Sequence, residues 1–302
     1  MLTGLLLGLL AALAEAGKDV FYSGGRMREL PGLIRATAMI LLALPVALIS
    51  LYAVGLPEIK PIFWAYVTMH ASLMSFALLL AMRALSLAPV SQTQPILSLT
   101  TVLLVITNPL MTDDVVPLVG WFGVFLVAVG IYGTQHPGKA ISGGPPITFW
   151  SPFIEMFSQA GVRANLAVAV TYSITANLDK LAIGAANGPF YLVIDLSLVS
   201  GILLAACAVK YRSRDEKSVD ELFFRSLKSA SVGGLIYSAA ITFHLLALTF
   251  TTVPYVIAMK RLSIVFASFW GYLVRKDREL NSYRLVGIGL VISGVFVICL
   301  FG

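Results

Sequence analysis

Ten strongly apolar stretches, each close to bilayer-spanning length, fill the 302 residues of this chain. A hydrocarbon core about 30 Å thick takes about 20 apolar residues of helix to cross, so ten crossings use roughly two-thirds of the sequence and leave no room for a soluble catalytic domain. Apolar runs between charged residues or Pro/Gly punctuation place the spans at 2–22, 33–54, 61–82, 87–110, 115–133, 164–186, 189–209, 229–249, 252–274 and 283–301. Composition agrees, with 58% hydrophobic and 12% charged residues, against about 25% charged in soluble domains. The opening Met1 to Gly17 carries an Ala12-Leu13-Ala14 pattern like a signal-peptide cleavage site but lacks a basic leader, and it reads as the first span.

The basic residues set the topology. Sixteen of the 21 fall in connections on one side of the ten-span arrangement, Lys60 stands alone on the other, and Lys18, Lys180, Lys260 and Arg261 lie inside spans. The positive-inside rule then puts both termini outside the cytoplasm. The net charge of +6 is dispersed over short loops, not gathered on one basic face, which argues against a nucleic-acid partner. The partners expected are the lipid bilayer and a small-molecule substrate, for a monomer or homodimer in a prokaryotic plasma membrane.

The halves resemble one another. Ala84 to Thr100 aligns with Ala247 to Ser263, and Gly123 to Gly130 (GVFLVAVG) with Gly287 to Gly294 (GIGLVISG), at a common offset that also brings Lys18 onto Lys180 within one residue. The Gly/Pro-rich segment His136 to Pro146 (HPGKAISGGPP) separates five spans from five. An odd number of spans per copy inserts the second copy upside down. Asp113-Asp114 after the fourth span against Arg275-Lys276 after the ninth gives the opposed charge bias that opposite orientation selects. The fold expected is an all-α integral membrane protein of two inverted five-helix repeats, 1–135 and 163–302, joined by a linker at 136–162, around a central cavity.

Charged groups at membrane depth cost several kcal/mol unless paired or hydrated, which makes each a candidate for function. Lys260 and Arg261 come about eight residues into the ninth span, roughly 12 Å deep; an Arg fork beside a Lys point charge suits phosphate or carboxylate. Glu15 and Lys18 share a helix face, as an ion pair or as a coupling carboxylate with a gating cation. The sixth span repeats the pattern with Asn177, Asp179 and Lys180, and Tyr172, Thr175 and Asp179 form a second polar stripe. Gln92 and Gln94 precede Pro95 in a polar start to the fourth span that frees carbonyls for a ligand. His70 and His244 are lone intramembrane histidines, interhelical bonds or proton carriers. Asp195, near the start of the seventh span, reads as a helix N-terminal or interfacial carboxylate.

The substrate-binding set is therefore Lys260, Arg261, Lys18, Lys180, Gln92, Gln94, Tyr172 and Asn177, with Glu15, Asp179, His70 and His244 for coupling or gating. Glycine stripes in the fifth and tenth spans permit close packing within a monomer or a dimer seam. Cys207 and Cys299 both sit in apolar spans, so neither a disulfide framework nor a cysteine metal site is expected. No HExxH, P-loop or GxSxG motif occurs; no enzyme, metal or cofactor is predicted.

Two inverted sets of five spans, a charged residue late in the first span and MKRLSIVFASFWGYLV in the ninth resemble the EamA-type members of the drug/metabolite transporter superfamily, over nearly the whole chain. The resemblance implies that spans one, three, four, six, eight and nine surround the central site, with five and ten peripheral. Lys260-Arg261 is similar to the phosphate-holding Lys-Arg pair of the plastid sugar-phosphate translocators, and Glu15 to the membrane-embedded glutamate of the small multidrug resistance branch. Alternating-access transport of a small polar, anionic metabolite is the leading expectation. Proton-coupled export of amphipathic or cationic compounds through Glu15 and Asp179 is the alternative, and a non-transporting membrane receptor or scaffold, or an intramembrane enzyme, is a third class.

Overall fold

The computed structural model describes residues 1–23, 30–87, 97, 99–134, 160–212, 216–275 and 282–301, and among them every regular element is a helix. There are ten: α1 (Leu2–Ser23), α2 (Gly32–Val54), α3 (Phe63–Leu87), α4 (Leu99–Met111), α5 (Leu118–Thr134), α6 (Ala160–Ala185), α7 (Gly188–Tyr211), α8 (Glu216–Phe250), α9 (Val253–Arg275) and α10 (Ser282–Phe301). Among the described residues, five regions are long and apolar enough to cross a membrane: Gly32–Val54, Phe63–Ala81, Arg163–Ala185, Gly188–Tyr211 and Phe223–Phe250.

One helix departs in length from the hydropathy reading. Helix α8 begins at Glu216, well before the expected start at 229. Its first turns (EKSVDELFFRSLK) are too charged to register as a span, yet Glu, Lys and Leu are good helix formers, so the helix starts ahead of its apolar section. Of the polar start expected for α4, Gln92, Thr93, Gln94 and Pro95 lie outside the described residues.

Packing follows residue size. On α1, Leu2, Leu6, Leu10 and Leu13 form an exposed apolar stripe, while Leu5, Ala11, Ala12 and Ala16 are buried. Small residues on the buried side bring α1 close to its neighbours: a methyl added at Gly4 would meet Thr251 Cγ2 at 2.8 Å, and one at Gly8 would meet Met259 Cβ at 3.0 Å. An all-apolar outer stripe with a small-residue inner face is the pattern of a lipid-facing helix, since lipid imposes no penalty on exposed leucine.

The pairings have an exchange pattern. Helix α1 packs on α8 and α9, as α6 packs on α3 and α4; α2 packs on α8, as α7 packs on α3; and α2 with α7, α4 with α9 and α5 with α10 face one another. Each of these pairings maps onto another of them or onto itself when a helix is replaced by the one five places along the chain, whereas contacts such as α5 with α9 have no comparable counterpart among the described residues.

Helices α5 and α10 approach one another closely, backbone to backbone, through glycine. A Cβ at Gly130 would lie 2.6 Å from Val291 N and 2.7 Å from Gly287 O, and one at Gly294 would lie 2.6 Å from Gly123 O. Backbone cannot move aside as a flexible side chain can, so Gly123, Gly130 and Gly294 are taken up by packing between α5 and α10. Gly130→Ala is expected to cost about 2 kcal/mol and lower the melting temperature in detergent. Gly289→Ala, with nothing within 4 Å of its added methyl, is the control; equal melting for the two variants would refute the contact.

Turns fix the ends of the central helices. Helix α2 stops at Gly55, whose φ of 86° favours glycine and whose N–H donates to Leu51 O at 2.7 Å. Helix α7 starts on Asn187, whose side chain accepts from Phe190 N–H, with a proline in the first turn. Lys60, the lone basic residue on its side in the sequence reading, donates Nζ to Gly184 O at 3.1 Å and N–H to Ala185 O at 2.9 Å. It caps the C-terminus of α6, where a cation meets the negative end of the helix dipole.

Candidate functional site

A cavity of about 180 Å³ lies among α1, α2, α3, α4, α6, α7, α8 and α9, and the charged and histidine side chains at its wall fall into two clusters. The first joins α1 to α9. Lys18 Nζ donates to Glu15 Oε1 at 2.5 Å, lies 3.2 Å from Asp19 Oδ1 and sits 6.0 Å from the centre of the Tyr237 ring. One turn of α1 therefore makes the ion pair that the three-residue spacing allowed.

Lys260 and Arg261 reach the same cavity from α9. Among the described residues no carboxylate stands within ion-pair distance of either, and Arg261 Nε is buried with no hydrogen-bond partner. A buried donor left unpaired costs free energy that a ligand oxygen recovers. Tyr172 lines the wall beside them, with its backbone carbonyl taken by Thr175 Oγ1 at 3.3 Å. This wall can receive a phosphate or carboxylate oxygen.

The second cluster joins α3, α6, α7 and α8. His70 lies between two carboxylates, with Nδ1 2.6 Å from Asp195 Oδ1 and Nε2 3.2 Å from Asp179 Oδ1. Asp179 also accepts from Tyr191 OH at 2.5 Å, and its other oxygen is 3.3 Å from His244 Nε2. The two histidines thus sit in interhelical contacts around one aspartate. The expectation for Asp195 is corrected here: it is buried inside α7, 7% exposed, not placed at a helix start or interface, because α3 presents His70 to it.

Lys180 and Asn177 leave the cavity wall. Lys180 Nζ donates to Asp114 Oδ1 at 2.7 Å and to Thr251 O at 3.0 Å, while Asp114 Oδ2 accepts from Val253 N–H at 3.1 Å. One lysine therefore ties α6 to the α4–α5 connection and to the turn between α8 and α9. Asn177 Nδ2 donates to Thr107 Oγ1 at 3.1 Å and its Oδ1 accepts from Asn108 Nδ2 at 3.1 Å, a buried α4–α6 clasp. Neither residue lines the cavity, whereas Glu15, Lys18, His70, Tyr172, Asp179, His244, Lys260 and Arg261 all do. Gln92 and Gln94 lie outside the described residues.

Sequence reasoning passed over Tyr191, Tyr237 and Asp114 as site groups. Tyr191 and Tyr237 look like interfacial or core aromatics in an apolar span, and Asp114 looks like a loop carboxylate. A signal existed for Asp195 alone, an acidic residue inside an apolar stretch.

With this geometry in view, known proteins give the following likenesses. Residues 159–300 match the EamA-like transporter family. The match takes in α6 to α10, and so contains Asp179, Asp195, His244, Lys260 and Arg261. One solved crystal structure of a protein has a TM-score of 0.71 and 15% identity to this chain, covering 98% of this chain and 97% of its own, which shows the shared fold. Comparison with the curated proteins finds no match. The apolar helices and the family match make the chain an integral, multi-pass membrane protein.

Proposed function

We propose that this chain is a secondary transporter of the drug/metabolite type that moves a small polar, anionic metabolite by alternating access. The observation that carries the reading is the buried, unpartnered Arg261 Nε beside Lys260 on the cavity wall. Two cations in a low-dielectric hollow, with no carboxylate within ion-pair distance among the described residues, attract an anion, and the Arg fork can hold two of its oxygens. Lys18, held by Glu15, and Tyr172 complete the wall. No redox or bond-breaking chemistry is assigned to the site.

Ten spans arranged as two inverted repeats, 1–135 and 163–302, with a linker at 136–162, belong to the same proposal. The five-place exchange of helix pairings supports it. Rocking of one repeat on the other would expose the cavity to each side in turn. Lys180 with Asp114 and Thr251 then closes one mouth, on the non-cytoplasmic side if the basic loops face the cytoplasm.

A thermal-stability screen of the purified protein tests the substrate class, because a ligand bound only by the folded form raises its melting temperature. Phosphorylated sugars or dicarboxylates are expected to give shifts, organic cations none, and Arg261→Ala to remove them. Stabilisation by cations alone would reverse the assignment. In that case Glu15, which also faces the cavity, becomes the working carboxylate of a proton-coupled exporter, and Glu15→Gln is expected to abolish efflux of an organic cation driven by a pH gradient. A receptor or scaffold is the reading left if no solute in any of these classes stabilises the protein.

A further inference from the structure

We propose that His244, Asp179, His70 and Asp195 form a proton-binding relay across four helices, a site distinct from the Lys260–Arg261 anion wall. A neutral imidazole has one N–H and one lone pair. His70 has an acidic oxygen at each ring nitrogen, 2.6 Å from Nδ1 and 3.2 Å from Nε2. If both aspartates were ionised and His70 neutral, one ring lone pair would face a carboxylate lone pair at contact distance in a buried site. The site therefore favours one proton more than that state, either as an imidazolium between two carboxylates or as a neutral ring beside a carboxylic acid, with the Nδ1–Asp195 contact a hydrogen bond and the Nε2–Asp179 contact an ion-pair approach.

His244 supplies the entry. Its Nε2 faces Asp179 Oδ2 at 3.3 Å, while its Nδ1 is buried without a hydrogen-bond partner among the described residues, on a side chain that is 2% exposed and lines the cavity. A proton leaving cavity water binds His244 Nδ1 as the Nε2 proton passes to Asp179 Oδ2; once that carboxyl group turns the proton toward α3, His70 Nε2 takes it and the Nδ1 proton passes to Asp195 Oδ1. Each transfer makes one N–H or O–H bond and breaks one, so no other reactant is needed.

Other charged and titratable groups surround the relay without being members of it. Helix α1 brings Glu15 and Lys18, α9 brings Lys260 and Arg261, α6 brings Tyr172 and α8 brings Tyr237. On α7, Tyr191 OH donates to Asp179 Oδ1. Because the relay's members come from α3, α6, α7 and α8, gain or loss of its proton alters contacts between helices that the transport cycle would separate. This last step rests on the transporter reading; the proton site does not.

The test uses the full chain with nitrogen-15 histidine in lipid bilayers. The sequence has three histidines, His70, His136 and His244, each assigned by its Asn variant. Between about pH 5 and about pH 8, where imidazole exchanges protons, His70 is expected to show imidazolium signals, or a neutral ring accompanied by the infrared band of a protonated carboxyl that Asp179→Asn or Asp195→Asn removes. A single neutral tautomer of His70 throughout, with no such band, overturns the proposal.

Coupling is read in proteoliposomes at zero membrane potential, with inorganic phosphate and succinate as probes. A gradient of one pH unit is expected to drive about tenfold accumulation per coupled proton in the wild type, and none in His70→Gln or Asp195→Asn, both confirmed as folded by their melting curves. Anion flux that keeps its pH drive in both variants removes the relay's role in transport and leaves the transporter standing. If neither probe moves although His70 holds its proton, the anion-transporter reading falls for these classes and the proton site remains.

Discussion

Replacing Arg261 with Ala is expected to lower uptake of the transported anion by about 10- to 100-fold, because a hydrogen bond to a charged group contributes about 1.5–3 kcal/mol and each 1.4 kcal/mol is tenfold. Lys260→Ala should fall in the same range, by removing a point charge. Arg261→Lys separates charge from shape: it keeps the cation and loses the planar fork, so an intermediate rate is expected. The measurement is initial uptake into proteoliposomes of the phosphorylated sugar or carboxylate that best stabilises the protein. If both alanine variants take up every anion at the wild-type rate, the anion wall is misassigned. The expectation is specific to α9 because Lys18 already has Glu15 at 2.5 Å and Lys180 has Asp114 at 2.7 Å. Among the described residues, Lys260 and Arg261 have no such carboxylate.

The Lys180 latch carries the second large effect. Lys180→Ala leaves Asp114, 11% exposed, facing Val253 N–H without its cation, and is expected to cost about 2–3 kcal/mol, between the values for exposed and fully buried pairs. In a double-mutant cycle, Lys180→Ala with Asp114→Ala should return a coupling energy of about 1–2 kcal/mol. If the pair closes a mouth, a cysteine at Thr251 should also react faster with a membrane-impermeant maleimide in the Lys180→Ala background. A coupling energy near zero, with unchanged labelling, would remove the latch. Lys180→Arg is the useful control, since it retains the charge while changing the geometry that also reaches Thr251 O at 3.0 Å.

How much of the site could be read in the sequence varies by residue. Lys260 and Arg261 stood out because two adjacent cations within an apolar run have a high desolvation cost wherever the helix packs. The Glu15–Lys18 pair was also legible, because a three-residue spacing sets two side chains on one helical face regardless of neighbours. Lys180 looked like its counterpart by repeat offset, yet its partner is Asp114, 66 residues away. Asn177 shares a face with Lys180 in sequence, but the approach of α4 turns it into a clasp with Asn108. Asp195 was misplaced because hydropathy locates a residue along a helix and says nothing of what stands opposite.

The same division holds for the fold. Helix positions followed from apolar runs, and the unexpected length of α8 came from a charged segment whose helical propensity hydropathy does not measure. The glycines of α5 and α10 announced a close approach without naming the partner; the structure gives Val291 N and Gly287 O as the atoms against Gly130.

By itself the sequence determined that this chain is a set of apolar helices and that several charges are placed among them, because hydrophobicity, local spacing and charge are sums over neighbouring residues. Tertiary structure alone decided which charges meet: His70 with Asp195 across 125 residues, Lys180 with Asp114, and Arg261 with an open cavity. Pairing between helices depends on their order, rotation and depth, and those are set by packing of whole faces, which no short stretch of sequence contains.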